Sequence, residues 1–136
     1  MVEAAHPLPF TFHRAFDMCR SPLQAIDLLA ELGVKRILTS GQQATALEGK
    51  SNIESFVLYA GDRIGIMACG ELLPENIGAL LDIKGLAELH SAARREIHSQ
   101  MLFTGAVNMG DEAVQDEFRW QEVDEGLVRG MKDLLK

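Results

Sequence analysis

Short apolar runs alternate along this chain with longer stretches in which apolar residues recur every three or four positions. Leu8-Pro9-Phe10-Thr11-Phe12-His13 is the first strand-like run, bounded upstream by prolines. Ser21-Pro22-Leu23-Gln24 then predicts a helix start. Serine suits the N-cap, proline the first helical position, and Gln24 the reciprocal place of a capping box. Leu23, Ile26, Leu29 and Ala30 give that helix its apolar face, and Gly33 is placed to end it. The alternation repeats. Residues 34–41 predict a second strand, and Ser51-Asn52-Ile53-Glu54 a second capping box with Ile53, Phe56, Val57 and Ala60 on one helical face. Residues 63–68 predict the third strand, Pro74-Glu75-Asn76 a third helix carrying Ile77, Leu80, Leu81 and Ile83, and residues 85–91 the fourth strand. Beyond Glu96 the pattern weakens. Residues 96–115 read mostly as loop, and a final helix is expected within 116–135, with Phe118, Val123, Leu127, Val128, Met131, Leu134 and Leu135 as core candidates. Gly126 and Gly130 oppose that helix, since glycine costs about 1 kcal/mol in a helix interior.

The strands begin at intervals of roughly 25 residues, a β-then-α rhythm whose strands pair in parallel through right-handed crossovers. A single α/β domain over residues 1–136 is expected. Two architectures fit the spacing equally: a small doubly wound sheet, or half of an eight-stranded barrel that as a whole takes about 250 residues. Neither the glycine fingerprint of dinucleotide sites nor the full phosphate-loop pattern is present.

Composition narrows the partners. At 136 residues and 47% apolar, the chain can bury a core without a metal or disulfide staple. A net charge of −7, with Lys35-Arg36 and Arg94-Arg95 the adjacent basic pairs, argues against nucleic acid. Two cysteines, Cys19 and Cys69, do not make a secreted disulfide scaffold. The first residues lack the pattern of a signal peptide, and no run reaches the roughly 20 apolar residues of a membrane span. A cytoplasmic protein with free thiols is the expectation, with no membrane partner.

The strand ends carry a resemblance. Thr11-Phe12-His13-Arg14-Ala15-Phe16-Asp17 is similar to the central signature of the CutC family of copper-homeostasis proteins. Leu38-Thr39-Ser40-Gly41, Ala46-Leu47-Glu48-Gly49 and Glu88-Leu89-His90-Ser91-Ala92-Ala93 follow in the family's order, and Met101-Leu102-Phe103 and Asn108-Met109-Gly110 fit its tail. The resemblance implies a TIM-type (β/α) barrel, of which this chain matches the last four βα units, a half barrel with parallel strands. It also implies a role in copper homeostasis or tolerance, with copper, as Cu(I), the candidate ion. Cys69 and Glu71 depart from the glycine-rich loop that the family has after its penultimate strand. A half barrel leaves strand edges and barrel interior open, so either a missing N-terminal half or self-association is expected to complete it.

In such barrels the chemistry sits at the carboxyl ends of the strands. The pocket candidates there are His13, Arg14, Asp17, Thr39, Ser40, His90 and Ser91. His13 suits an acid, base or ligand, and Arg14 a cation that grips an anion. The plainer alternative is that Arg14 and Asp17 pair to brace the turn into the first helix. Hydroxyls and backbone N–H groups at Thr39, Ser40, Gly41, Gly70 and Ser91 suit an oxyanion, with Gly41, Gly70 and Ser91 as the anion-site candidates, although Glu71 would repel a phosphate. For Cu(I) the candidates are Cys19 and Cys69, with Met18, Met67, His13 and His90 secondary. Against this, a free cysteine is more often a small buried hydrophobe than a ligand. Neither a Gly-x-Ser-x-Gly elbow nor a His-Glu-x-x-His pair occurs. Two functions follow: copper handling, or a barrel enzyme acting on a small phosphorylated or carboxylated metabolite with copper incidental.

Overall fold

The computed structural model describes residues 1–103 and 117–136, which cluster into two compact units, Met1–Ser91 and Ala92–Lys136.

The first unit is four parallel strands in one sheet, alternating with helices. After a short helix α1 (Val2–Ala5), the chain runs β1 (Thr11–Phe12), a 3-10 turn (Arg14–Met18), α2 (Pro22–Glu31), β2 (Arg36–Thr39), α3 (Lys50–Ala60), β3 (Gly65–Cys69), α4 (Pro74–Leu81) and β4 (Glu88–His90). Strand order follows chain order, β1-β2-β3-β4, and each adjacent pair is parallel. Alternation sends Ile37, Ile66 and Ala68 to the buried face, where they join Ile26, Leu29, Ile53, Phe56 and Leu80 in the core. The Phe16 and Phe56 rings meet edge to face at 5.5 Å, which ties the turn after β1 to α3. The other face of the sheet carries Arg36, Leu38, Met67 and Glu88, all partly exposed.

The helices begin where predicted to within a residue or two, and for partly different reasons. Pro22 is the first residue of α2, but the Ser21 side chain makes no capping bond. Helix α3 starts ahead of the expected Ser51 cap: Gly49 is its N-cap, and Ile53 N–H donates to the Gly49 carbonyl at 2.9 Å. A glycine is required there, since a Cβ would lie 1.8 Å from the Ser40 carbonyl oxygen. At α4 the Asn76 side chain accepts from Leu73 N–H at 2.9 Å and donates to the Glu71 carbonyl at 2.7 Å, holding the loop after β3.

The second unit is an antiparallel hairpin, β5 (Arg94–His98) with β6 (Arg119–Val123), followed by α5 (Glu125–Leu134). Asp124 caps α5 by accepting from Leu127 N–H at 2.9 Å. Residues 96–98 therefore lie in a strand where loop was expected, and the final helix starts at Glu125 because 119–123 is extended. These strands are largely exposed and mostly charged or polar, so they show no apolar alternation to read. The reading at Asn108-Met109-Gly110, and those parts of the expected loop and final helix that fall on residues 104–116, lie outside the described residues. Among the described residues no helix is long and apolar enough to cross a membrane.

Candidate functional site

The carboxyl ends of β1 and β2 are joined by one buried carboxylate. Asp17, at the close of the turn after β1, has a side chain only 8% exposed. Its Oδ1 accepts from the Thr39 hydroxyl at 2.5 Å, from Ser40 N–H at 3.2 Å and from Gln42 N–H at 3.1 Å. Its Oδ2 accepts from Arg14 Nε at 2.9 Å, and Ser40 N–H lies 3.1 Å away. Burial pushes the Asp17 carboxyl up. The Thr39 and Arg14 side chains and the Ser40 and Gln42 amides outweigh it and hold it below its ordinary value.

Arg14 is fixed at two points, through Nε to Asp17 and through Nη2 to Ser40 Oγ at 2.6 Å. Ser40 Oγ has one proton to give, and the Gln43 carbonyl at 2.6 Å is its shorter acceptor. Nη1 of Arg14 has no hydrogen bond among the described residues, and the side chain is 46% exposed. Arg14 and Asp17 thus pair across the turn after β1, and the same contacts hold the guanidinium in place at the rim.

The loop after β2 is bound to the site and to its own surroundings. Gly41 N–H donates to Thr39 Oγ1 at 2.9 Å, and the Gly41 carbonyl accepts from Asn52 Nδ2 at 2.8 Å. Gly41 and Gln42 both take positive φ, 71° and 59°, which turns the chain so that the amides close on Asp17. Gln42 Nε2 donates to the Cys19 carbonyl at 2.7 Å. The amides of Ser40, Gly41 and Gln42 are therefore spent on Asp17 and Thr39. The anion that Thr39 and the amides of Ser40 and Gln42 meet in this structure is the protein's own carboxylate.

The remaining candidates separate from this centre. His13 caps the turn, its Nδ1 accepting from Ala15 N–H at 3.0 Å and its ring stacked on Phe12 at 5.2 Å. His90 is exposed at the tip of β4. Ser91 Oγ donates to the Leu72 carbonyl at 2.5 Å, which pins the loop after β3. Gly70, at φ 112°, gives its carbonyl to Ala46 N–H at 3.0 Å, and a Cβ there would crowd Ser40 Cβ at 3.2 Å. Cys69 is buried at 2% exposure, and burial pushes its thiol up to about 11, with Arg14 pulling it down and Asp17 pushing it up. Cys19 is part-buried and its thiol is also raised, chiefly by burial. No group of three or more His, Cys, Asp or Glu side chains that could hold a metal occurs among the described residues. Gln42, Gly49 and Asn52 belong to the site and carried no functional signal in the sequence.

Comparison with known proteins follows the same strand ends. The CutC family model matches residues 1–95, from the first helix through the rim residues and β4 to the first residues of β5. This chain belongs to the CutC family. A family protein CutC from Proteus mirabilis (strain HI4320) is 45% identical over 136 residues, covering 99% of this chain and 54% of that protein. Another from Pasteurella multocida (strain Pm70) is 37% identical over 132 residues, covering 97% and 54%. The chain spans about half the length of the curated relatives it matches. The crystal structure of a CutC protein from Streptococcus agalactiae, named for copper homeostasis, aligns with a TM-score of 0.60 at 34% identity, over 65% of this chain and 44% of that one. The expected fold class stands: α/β of the TIM-barrel type, with four parallel strands alternating with helices.

Proposed function

We propose that the carboxyl rim of this CutC-family sheet binds a small anionic metabolite, phosphorylated or carboxylated, with Arg14 as the cation that holds it, and that any part played in copper homeostasis is indirect. The observation that carries this reading is the state of Arg14: a half-exposed guanidinium locked by Asp17 and Ser40 with Nη1 left over. A pre-set guanidinium loses little rotamer entropy when an anion arrives, which favours binding. The test is thermal shift followed by calorimetric titration with inorganic phosphate, citrate and a panel of sugar phosphates and short carboxylic acids. A ligand present at 100 times its Kd raises stability by about 2.7 kcal/mol. Losing a charged hydrogen-bond donor costs about 1.5–3 kcal/mol, so Arg14→Ala is expected to weaken binding roughly 10- to 100-fold. His13→Ala is expected to bind within about twofold of wild type, because His13 serves the turn. A panel with no stabilising member, or equal binding by Arg14→Ala, overturns the proposal.

Direct copper handling is the second reading, favoured by the name of the Streptococcus agalactiae relative. The raised thiols of Cys19 and Cys69 and the lack of a three-donor group among the described residues count against it. Competition with a Cu(I) chelator decides: stoichiometric binding lost in Cys19→Ser/Cys69→Ser restores the copper reading.

A further inference from the structure

We infer that the group Arg14 receives is a singly charged oxyanion with two terminal oxygens, a carboxylate or a phosphodiester, docked end-on against the Nη1 and Nη2 tips of the guanidinium. This rests on the anion-binding reading of the rim and narrows it to one charge and one docking geometry.

Counting hydrogens identifies the open edge. A guanidinium carries five N–H bonds in one plane, arranged as a side-on fork from Nε and Nη2 and an end-on fork from Nη2 and Nη1. Arg14 Nε donates to Asp17 Oδ2 at 2.9 Å, and Nη2 donates to Ser40 Oγ at 2.6 Å. These two acceptors lie 3.1 Å apart, the spacing of two atoms gripped by a single fork. The protein itself therefore fills the side-on edge. What remains, among the described residues, is the second Nη2 hydrogen and the Nη1 pair. The end-on edge sends two of these hydrogens outward in parallel. Parallel donors suit two oxygens on one centre, whereas a monatomic anion cannot lie in line with both.

The neighbouring donors that could serve a further oxygen are already engaged. Ser40 and Gln42 N–H and the Thr39 hydroxyl point to Asp17, Gly41 N–H to Thr39 Oγ1, and the Gln42 side-chain amide to the Cys19 carbonyl. A phosphate monoester carries three terminal oxygens and, near neutral pH, close to two charges. One of its oxygens finds no donor at this edge. Its second charge also gains little. The Asp17 carboxylate behind Arg14 cancels much of the guanidinium's field, and the chain as a whole carries −7. Attraction to the residual field grows in proportion to the ligand's charge, while the cost of drying the ligand grows with its square. A singly charged group wins that comparison.

The experiment follows Arg14 Nε–H by NMR in the 136-residue chain at about pH 8 and fixed ionic strength, where a phosphate monoester is doubly charged. The probes are sodium acetate, dimethyl phosphate, methyl phosphate and sodium chloride. Acetate or dimethyl phosphate, each singly charged, is expected to saturate the Arg14 signal, and the tighter of the two names the chemistry of the group. Methyl phosphate is expected to bind at least about fivefold more weakly than dimethyl phosphate, and chloride at least about tenfold more weakly than acetate. Arg14→Lys keeps the charge without the fork and is expected to weaken acetate binding, read from the Ser40 and Gln42 amides, at least about tenfold. Comparing the two phosphates on the wild-type chain needs no variant, so the inference stays testable if that substitution disturbs the turn. Methyl phosphate binding as tightly as dimethyl phosphate, chloride matching acetate, or Arg14→Lys binding within about twofold of wild type overturns the inference and leaves anion binding standing. A panel in which no anion moves the Arg14 signal overturns both.

Discussion

Replacing Asp17 by asparagine tests the central structural claim, because the substitution keeps size and shape and changes only charge and hydrogen-bond polarity. Asp17 gives two acceptor oxygens to donors on three sides. An asparagine can place its oxygen toward Thr39, Ser40 N–H and Gln42 N–H. Its NH2 group then faces Arg14 Nε, donor against donor, and the charge-assisted bond is lost. One charged hydrogen bond is worth about 1.5–3 kcal/mol, and a part-buried guanidinium left poorly paired adds to that, so about 3 kcal/mol is expected. For a chain of this size that is roughly 10 °C in Tm. The measurement is urea unfolding followed by circular dichroism, repeated across pH. The folded carboxyl lies below its ordinary value, so its contribution is complete above the unfolded pKa of about 3.9 and fades as pH falls through the folded value. The gap between wild type and Asp17→Asn is therefore expected to be constant from pH 7 to about 5 and to narrow below about 4. A gap under about 0.5 kcal/mol at pH 7, or one that widens in acid, refutes the reasoning.

Two further outcomes follow. Gly49→Ala drives a Cβ to 1.8 Å from the Ser40 carbonyl and is expected to cost more than about 3 kcal/mol or prevent folding, whereas Gly78→Ala, in open space on α4, is expected to stabilise by about 0.5–1 kcal/mol; urea midpoints of the two variants check the contrast, and equal effects defeat it. Iodoacetamide at pH 8 is expected to modify Cys19 well before Cys69, whose thiol is buried and pushed up to about 11, with Cys69 reacting only after unfolding; peptide mass spectrometry over a time course reads this, and equal rates would contradict the burial.

The strand–helix rhythm was legible because apolar residues such as Ile37, Ile66 and Ala68 mark the buried side of the strands, and because Pro22 and Pro74 start helices through a property of their own rings. Ser21 and Ser51 misled in the same way. Both match a capping pattern, but the helix start at Gly49 is dictated by the close approach of residue 40, a contact between chain segments. The tail was opaque for the opposite reason: the β5 and β6 strands expose nearly every side chain, so no burial pattern marks them.

The rim shows most sharply where reading residue types stops. Three consecutive amides at a strand end suggest a phosphate cradle, and by type alone Ser40, Gly41 and Gln42 qualify. What decides their use is a carboxylate more than 20 residues earlier in the chain, which folding brings within 3.2 Å of two of them. An internal carboxylate is present at fixed high local concentration, so a free phosphate must displace it and strand its charge, and the cradle is closed to solution anions. The cost of that closure is repaid at Arg14, which the same carboxylate holds in place. Under the proposed anion-binding role, specificity at this rim has to come from one guanidinium and its neighbours, and a single positively charged contact separates anions by charge and reach far better than it separates a carboxylate from a phosphate.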